Sequence, residues 1–330
     1  MDSRGQRAPS AKQTMTALLA LITIFAWGLW IPIAQIMPGV PQRSRTFYVT
    51  LGNAVFAASA IAIGGGHVSF GWRGFWLPFV GGVVWTVGGY SAFRASESIG
   101  LARASGSWTP LNIIVAFVWG TLLFGELNSF STTQFAVLGV ALLFVLAGVL
   151  FIVHSQDSQV GATTSVEAGS HANDPLPPAK VRVGGAANSY RRGFLFAGAA
   201  GVLWGSYFVP AQWAKVPAQV ANFPLALGIL AAGTVLVMTT GGPTRLSPRG
   251  TALQLSAGLL FGIGNIALLG LVARVGTGVG FTIAQLSLLV NVSVGILVFK
   301  VPKPGSRAAR VAIAGIILAG FGGVLIGNLR

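Results

Sequence analysis

The chain has 330 residues, of which 53% are hydrophobic and only 8% are charged, whereas a soluble domain carries about a quarter charged residues. Because a water-exposed surface cannot be built from so few charges, the composition excludes a soluble globular protein and predicts an all-α integral membrane protein. The net charge of +15 does not indicate a nucleic-acid partner, because the Lys and Arg residues lie between apolar runs, as in the basic loops beside membrane helices.

Ten apolar segments are long enough to cross a bilayer as helices, which takes about 20 residues. Helices are required because lipid offers backbone amides no hydrogen-bond partner. The polar segment Met1–Lys12 precedes an apolar run that is too long for a signal-peptide core, so we expect an uncleaved first helix. The predicted spans are Thr16–Ile36, Thr46–Ile63, Phe75–Phe93, Ala104–Phe124, Thr133–Val153, Gly193–Trp213, Phe223–Thr240, Leu253–Ala273, Val275–Phe299 and Val311–Gly327.

One connection between these segments differs from the rest. Residues 155–192 form a long polar stretch rich in Ser, Gly, Ala and Pro, which is typical of a flexible linker. The linker divides the chain into one five-helix block at residues 1–154 and a second at residues 193–330.

The two blocks share a sequence pattern. In the first helix of each block, Trp-Gly is followed by Gln at the same distance, and spaced glycines of the third helix recur in the eighth at one constant offset. The matching residues are Trp27, Gly28 and Gln35 with Trp204, Gly205 and Gln212, and Gly82 and Gly88 with Gly258 and Gly264. Because five is odd, a second block of the same fold lies upside down relative to the first. Inverted repeats of this kind are a transporter architecture, with the solute site near the midplane.

The same region carries a family resemblance. The runs Val202–Pro210, Phe261–Ala267 and Ile99–Ser105 resemble the glucose/ribose porter and rhamnose transporter branch of the drug/metabolite transporter superfamily. The resemblance covers nearly the whole chain and implies ten transmembrane helices, a sugar as solute and a binding cavity between the repeats. The fourth helix ends Phe-Gly-Glu126, whereas the ninth ends Phe-Lys300-Val, so any role of the acidic residue is not duplicated.

Binding a sugar requires amides that match its hydroxyl groups and flat rings for its C–H faces. The chain has both inside predicted helices, although each such Trp or Tyr can also be an interfacial anchor, and each Asn or Gln can simply bond a neighbouring helix. The candidate substrate-binding residues are Trp27, Gln35, Trp85, Tyr90, Trp108, Asn112, Trp204, Tyr207, Gln212, Asn265, Gln285 and Asn291.

The positions of the acidic residues relative to the predicted spans bear on ion coupling. None of the six acidic residues lies in the middle of a predicted span, so no deep proton carrier is evident. Glu97, in the turn between the third and fourth helices, and Glu126, at the end of the fourth, are the candidates for ion coupling, with facilitated diffusion as the alternative. The chain has no cysteine and three scattered histidines, which predicts neither a metal site nor a cofactor.

The sequence therefore predicts a transporter of a sugar or similar small polar solute in the plasma membrane. The alternatives are an exporter of another metabolite or drug on the same fold, or a non-transporting membrane protein. An enzyme is not expected, because no metal-hydrolase motif or pair of acids within helices is present. The loop charges favour a cytoplasmic linker and the basic N-terminal tail favours the reverse, so the orientation stays open, as do the direction of transport and the oligomeric state.

Overall fold

The computed structural model describes residues 11–37, 39–64, 70–99, 101–170, 183–300, 302–327 and 329, and its regular elements are all helices. Proline or a Ser side chain starts several of them. Pro41 precedes α2, Pro217 precedes α8, and Ser247 accepts a hydrogen bond from the backbone N–H of Gly250 at the start of α9. The helices are α1 (Ala11–Gln35), α2 (Gln42–Ile63), α3 (Trp72–Ile99), α4 (Leu101–Leu122), α5 (Thr132–Ser170), α6 (Val183–Trp204), α7 (Val209–Trp213), α8 (Ala218–Thr239), α9 (Pro248–Val275), α10 (Thr277–Gln285), α11 (Ser287–Leu297) and α12 (Arg307–Gly327).

Eight stretches of the described chain are helical, long and apolar enough to cross a membrane. Residues Ser107–Leu122 of α4 form a shorter apolar helix, and α3 is not among the eight. The protein is therefore a multi-pass membrane protein. The eight stretches are Ala11–Gln35, Gln42–Ile63, Thr132–Ser155, Arg191–Trp213, Ala218–Thr239, Pro248–Val275, Thr277–Leu297 and Arg307–Ile326.

Two predicted spans are interrupted. The sixth breaks between α6 and α7, where Pro210 stands at the start of α7 and has no N–H to continue the helical ladder. The ninth breaks between α10 and α11, where the N–H groups of Leu286 and Leu289 bond carbonyls three residues back. Pro32 and Pro110, in contrast, lie within helices α1 and α4.

Two boundaries differ from the sequence-based expectation. Glu97 was expected in a turn, but α3 continues through it to Ile99, because its last turns are rich in helix-forming residues despite their polarity. Helical backbone also enters the expected linker from both sides, since α5 reaches Ser170 and α6 begins at Val183. The rest of that segment, 171–182, lies outside the described residues.

Glycines let the helices of the two blocks approach closely. A methyl group at Gly82 of α3 would overlap the backbone carbonyl of Leu225 in α8, and one at Gly258 of α9 would overlap that of Val49 in α2. Likewise Gly28 of α1 meets Val290 of α11. Small residues of this kind are what close helix packing in a membrane requires. Within an apolar stretch of 18 residues in α9, 67% of the residues are buried. Helix α9 therefore lies at the centre of the bundle.

Candidate functional site

Five aromatic side chains from four helices meet between α1, α3, α6 and α9, and we call them the aromatic cluster. The ring of Phe261 lies among the others, with its centroid 4.8 Å from Trp85, 5.2 Å from Trp30 and 6.2 Å from Trp27. The rings of Trp85 and Trp204 are 6.4 Å apart. The members are Trp27 and Trp30 of α1, Trp85 of α3, Trp204 of α6 and Phe261 of α9.

Two members of the cluster, Trp30 and Phe261, are not among the predicted site residues, and Phe261 is the more central of the two. It is only 3% exposed and contacts three of the four tryptophans. Residue type hid it, because phenylalanine carries no polar group to suggest a binding role. Its position contained a signal: Phe261 follows Gly258 by the same number of residues as Trp85 follows Gly82.

On the α6 side of the cluster, three predicted residues come together. The indole N–H of Trp204 donates to the backbone carbonyl of Trp85 at 3.0 Å, and the Trp108 ring lies edge-on to that of Trp204 at 5.5 Å. A methyl group at Gly88 would lie 2.8 Å from Cδ1 of Trp204, so glycine is what admits the ring. Trp204 was expected in mid-helix but is the last residue of α6, because the helix breaks there.

On the α1 side, Trp27 occupies a corresponding place with one difference. Its ring packs over Gly264, where an added methyl group would overlap it, and against the edge of Phe281 at 6.4 Å. Unlike that of Trp204, however, the Trp27 indole N–H is buried and has no hydrogen-bond partner among the described residues. One strong donor is therefore held in place without a protein acceptor.

Two predicted asparagines add further unpaired polar atoms. Asn265 of α9 is 1% exposed, and its Oδ1 lies 3.5 Å from the Tyr207 hydroxyl, which is a long hydrogen bond, while its Nδ2 has no partner in the described chain. Asn112 of α4 is likewise buried, and its Oδ1 is unpaired there. Asn112 lies where α4 passes Gly205, the residue that follows α6.

Four other predicted residues stand apart from these contacts. Gln35 is exposed at the end of α1, and Tyr90 is exposed with the Arg94 guanidinium 5.9 Å above its ring. Gln285 ends α10 and Asn291 lies in α11, and both are half-buried. The exposed pair fits the alternative of surface or interfacial residues.

Gln212 and Glu126 belong to a separate polar cluster. Glu126 Oε1 accepts from both the backbone N–H and the hydroxyl of Thr277 at 2.6 Å, and from Gln212 Nε2 at 3.3 Å, while Oε2 accepts from the Gly278 N–H at 3.3 Å. The carboxylate therefore lies at the start of α10, where backbone N–H groups favour a negative charge. The side chain of Glu97 lies outside the described residues.

The aromatic cluster suits an uncharged solute. Its five members carry no ionisable group, and the unpaired atoms on the helices that form or adjoin it include two donors, Trp27 Nε1 and Asn265 Nδ2, and one acceptor, Asn112 Oδ1. A buried polar atom without a partner costs about 1–3 kcal/mol. A ligand with several hydroxyl groups can satisfy both kinds of atom, since each hydroxyl both donates and accepts.

Comparisons with known proteins agree on one family. The sequence profile of the family described as "Sugar transport protein" matches residues 18–172 and 182–329. A protein of Listeria innocua is 25% identical over 313 residues, covering 95% of this chain and 98% of its own, and is named for sugar uptake. A protein of Priestia megaterium is 24% identical over 315 residues, covering 95% and 99%, and is named for glucose uptake.

A solved crystal structure shares the fold. It superposes with a TM-score of 0.64 at 19% sequence identity and covers 96% of this chain and 99% of its own. At this identity the likeness concerns the fold alone.

Proposed function

Because the chain belongs to the sugar transport protein family, we propose that it carries a sugar across the plasma membrane by alternating access, with the sugar bound at the aromatic cluster. The observation that carries the proposal is the set of buried, unpaired polar atoms on helices that form or adjoin the aromatic cluster: Trp27 Nε1 of α1, Asn265 Nδ2 of α9 and Asn112 Oδ1 of α4. The C–H faces of a sugar pack on aromatic rings, and its hydroxyl groups supply the missing partners.

The proposed mechanism depends on two inverted five-helix repeats that comprise ten spans. Ten spans would result if α3 and α4 cross the membrane in addition to the eight apolar stretches. Contacts recur in pairs: Gly82 meets Leu225 as Gly258 meets Val49, and Gly28 meets Val290 as Gly205 meets Val115. Two halves of near-equivalent packing support two near-equivalent states, one open to each side of the membrane.

The inner rings also support this arrangement. Trp85 and Phe261 stand at corresponding positions of the repeats and contact each other with centroids 4.8 Å apart. In an inverted repeat, corresponding residues meet at the pseudo-twofold axis, which is where a transporter holds its solute. We therefore expect the sugar to bind against these two rings.

Ion coupling is a separate question within this proposal. The aromatic cluster contains no acid, and the coupling candidates Glu97 and Glu126 lie near the end of α3 and just beyond α4. We therefore expect sugar binding at the cluster to be independent of these two acids. Uptake measured with and without a pH gradient distinguishes facilitated diffusion from coupled transport.

The test is sugar uptake by the purified protein in proteoliposomes. Radiolabelled glucose is the first substrate because a relative is named for glucose uptake, with other sugars and amino acids as competitors. We expect saturable uptake that Trp85→Ala abolishes. Trp76→Ala is the matched control, because Trp76 lies on the same helix but is 41% exposed and outside the cluster. Absence of saturable sugar uptake, or full uptake by Trp85→Ala, contradicts the proposal.

A further inference from the structure

The carboxylate of Glu126 joins three separate parts of the chain at one end of the bundle. Glu126 follows α4, Gln212 lies in α7, and Thr277 and Gly278 begin α10. Four hydrogen bonds of 2.6–3.3 Å reach the carboxylate from these residues. The Thr277 hydroxyl is also 2.6 Å from Gln212 Oε1, so the two partners of Glu126 contact each other as well.

The backbone is shaped for this contact. Gly276 has φ +88°, in the left-handed region that favours glycine, and it separates α9 from α10. The N–H groups of Thr277 and Gly278, which have no helical acceptor at the start of α10, therefore reach Glu126. Gly125 has φ +62° and turns the chain after α4 so that Glu126 returns to this position.

Beneath this polar contact lies an apolar layer that separates it from the aromatic cluster. The rings of Phe208 and Phe281 stack with centroids 4.7 Å apart, and both are buried. Phe117 of α4 packs against Gly278 of α10. Helices α4, α7 and α10 therefore converge at this end, with hydrogen bonds outside and stacked rings within.

The other end of the bundle has the same turn without the acid. The sequence Phe299-Lys300-Val301 takes the place of Phe124-Gly125-Glu126. Lys300 has φ +56°, like the +62° of Gly125, and it is exposed. The backbone turn is thus repeated at both ends. The carboxylate that joins α4, α7 and α10 by hydrogen bonds is at the Glu126 end, and Val301 takes its place in the sequence of the other turn.

We propose that Glu126, with Gln212 and Thr277, is a latch that holds one end of the transport pathway closed and that opens in each transport cycle. Glu126 is a positioning residue in this scheme, because it acts by fixing α4, α7 and α10 rather than by touching the sugar. The inference rests on the proposed alternating access. It implies that the two ends of the transport pathway are closed by chemically different contacts.

Cysteine accessibility tests the latch directly. The natural chain has no cysteine, so a single Ala211→Cys reporter has no background. Ala211 is 2% exposed, lies next to Gln212 in α7 and belongs to the apolar layer under the latch. The rate at which a membrane-impermeant maleimide labels this reporter, in protein purified in detergent, measures opening of the Glu126 end and needs no sugar.

We expect Glu126→Ala to raise the labelling rate at least tenfold, with a smaller rise for Glu126→Gln and for Thr277→Val. Asn128→Ala is the matched control, because Asn128 is exposed in the same turn, and it should leave the rate unchanged. Size-exclusion chromatography shows which variants are folded. If Glu126→Ala does not fold, the labelling rates of Glu126→Gln and Thr277→Val decide the question.

An unchanged labelling rate in the folded latch variants, or an equal rise in Asn128→Ala, would overturn the latch. Sugar uptake by the same proteins separates this result from the proposed function. A variant set that labels as expected while the parent protein takes up no sugar supports the latch and contradicts sugar transport. Normal sugar uptake by the parent protein with an unchanged labelling rate in the variants contradicts the latch and supports sugar transport.

Discussion

The indole N–H of Trp204 donates a hydrogen bond to the backbone carbonyl of Trp85 at 3.0 Å. This bond ties the end of α6 to the middle of α3 at the wall of the aromatic cluster. Across the cluster the indole N–H of Trp27 has no such partner among the described residues. Two tryptophans in corresponding positions thus differ in one hydrogen bond, and we infer that one stabilises the wall while the other is free to bind solute.

Phenylalanine substitutions separate these two roles. Trp204→Phe removes a structural hydrogen bond, so we expect the protein to lose about 1 kcal/mol of stability with a small change in KM for uptake. Trp27→Phe removes an unpaired donor, so we expect unchanged or slightly higher stability and a KM raised about tenfold, which is the loss of one hydrogen bond to the sugar. Thermal unfolding and uptake kinetics measure the two quantities. The reverse pattern would show that the roles are misassigned.

Helix approach at Gly82 is testable by adding one methyl group. Gly82→Ala places that methyl against the backbone carbonyl of Leu225, which cannot move like a side chain. We expect a destabilisation of about 1–3 kcal/mol, as for other overpacked sites, seen as a lower unfolding temperature. Gly198→Ala of α6 is the matched control, because no atom lies within 4 Å of the added methyl group, and alanine there should be neutral or stabilising. Equal unfolding temperatures for the two variants would refute close packing of α3 on α8.

The length of the apolar segments made most of the membrane fold predictable. Segments such as Thr46–Ile63 and Val311–Gly327 end within a few residues of α2 and α12, because lipid admits only backbone that satisfies its own hydrogen bonds. The break after Trp204 was less predictable. Proline is tolerated inside α1 and α4 but begins a new helix at Pro210, and packing against neighbouring helices decides between these outcomes.

The candidate site could be predicted in part. Four predicted tryptophans, Trp27, Trp85, Trp108 and Trp204, lie in or against the aromatic cluster, whereas Gln35 and Tyr90 are exposed. Position along a helix does not reveal which face is turned inward when nearly every residue is apolar, as the weak amphipathicity of these spans implies. The Glu126 contacts with Gln212 and Thr277 join residues far apart in the chain, and no local pattern predicts such a contact.

Asparagine-to-leucine substitutions distinguish a binding amide from a packing amide. Asn265→Leu removes the unpaired Nδ2 together with the Oδ1 that accepts the long hydrogen bond from Tyr207, so we expect a loss of stability of about 1 kcal/mol and at least tenfold weaker uptake. Asn53→Leu is the matched control, because Asn53 is fully buried and unpaired at both amide atoms, on the face of α2 that packs against α9 near Gly262. It should raise stability and preserve uptake. If both variants transport equally well, Asn265 has no part in binding.

A double-mutant cycle measures whether Glu126 and Thr277 act together in holding α4 to α10. Glu126 accepts two bonds of 2.6 Å from Thr277, and hydrogen bonds to a charged group contribute about 1.5–3 kcal/mol each. Thr277→Val removes the hydroxyl bond but keeps the backbone N–H, so we expect it to cost less stability than Glu126→Ala. Once Glu126 is alanine, the hydroxyl has no carboxylate to bind, and the second substitution should cost about 1 kcal/mol less than it does alone. Additive losses in chemical denaturation would mean that the two residues stabilise the bundle independently, which is incompatible with a shared contact between α4 and α10.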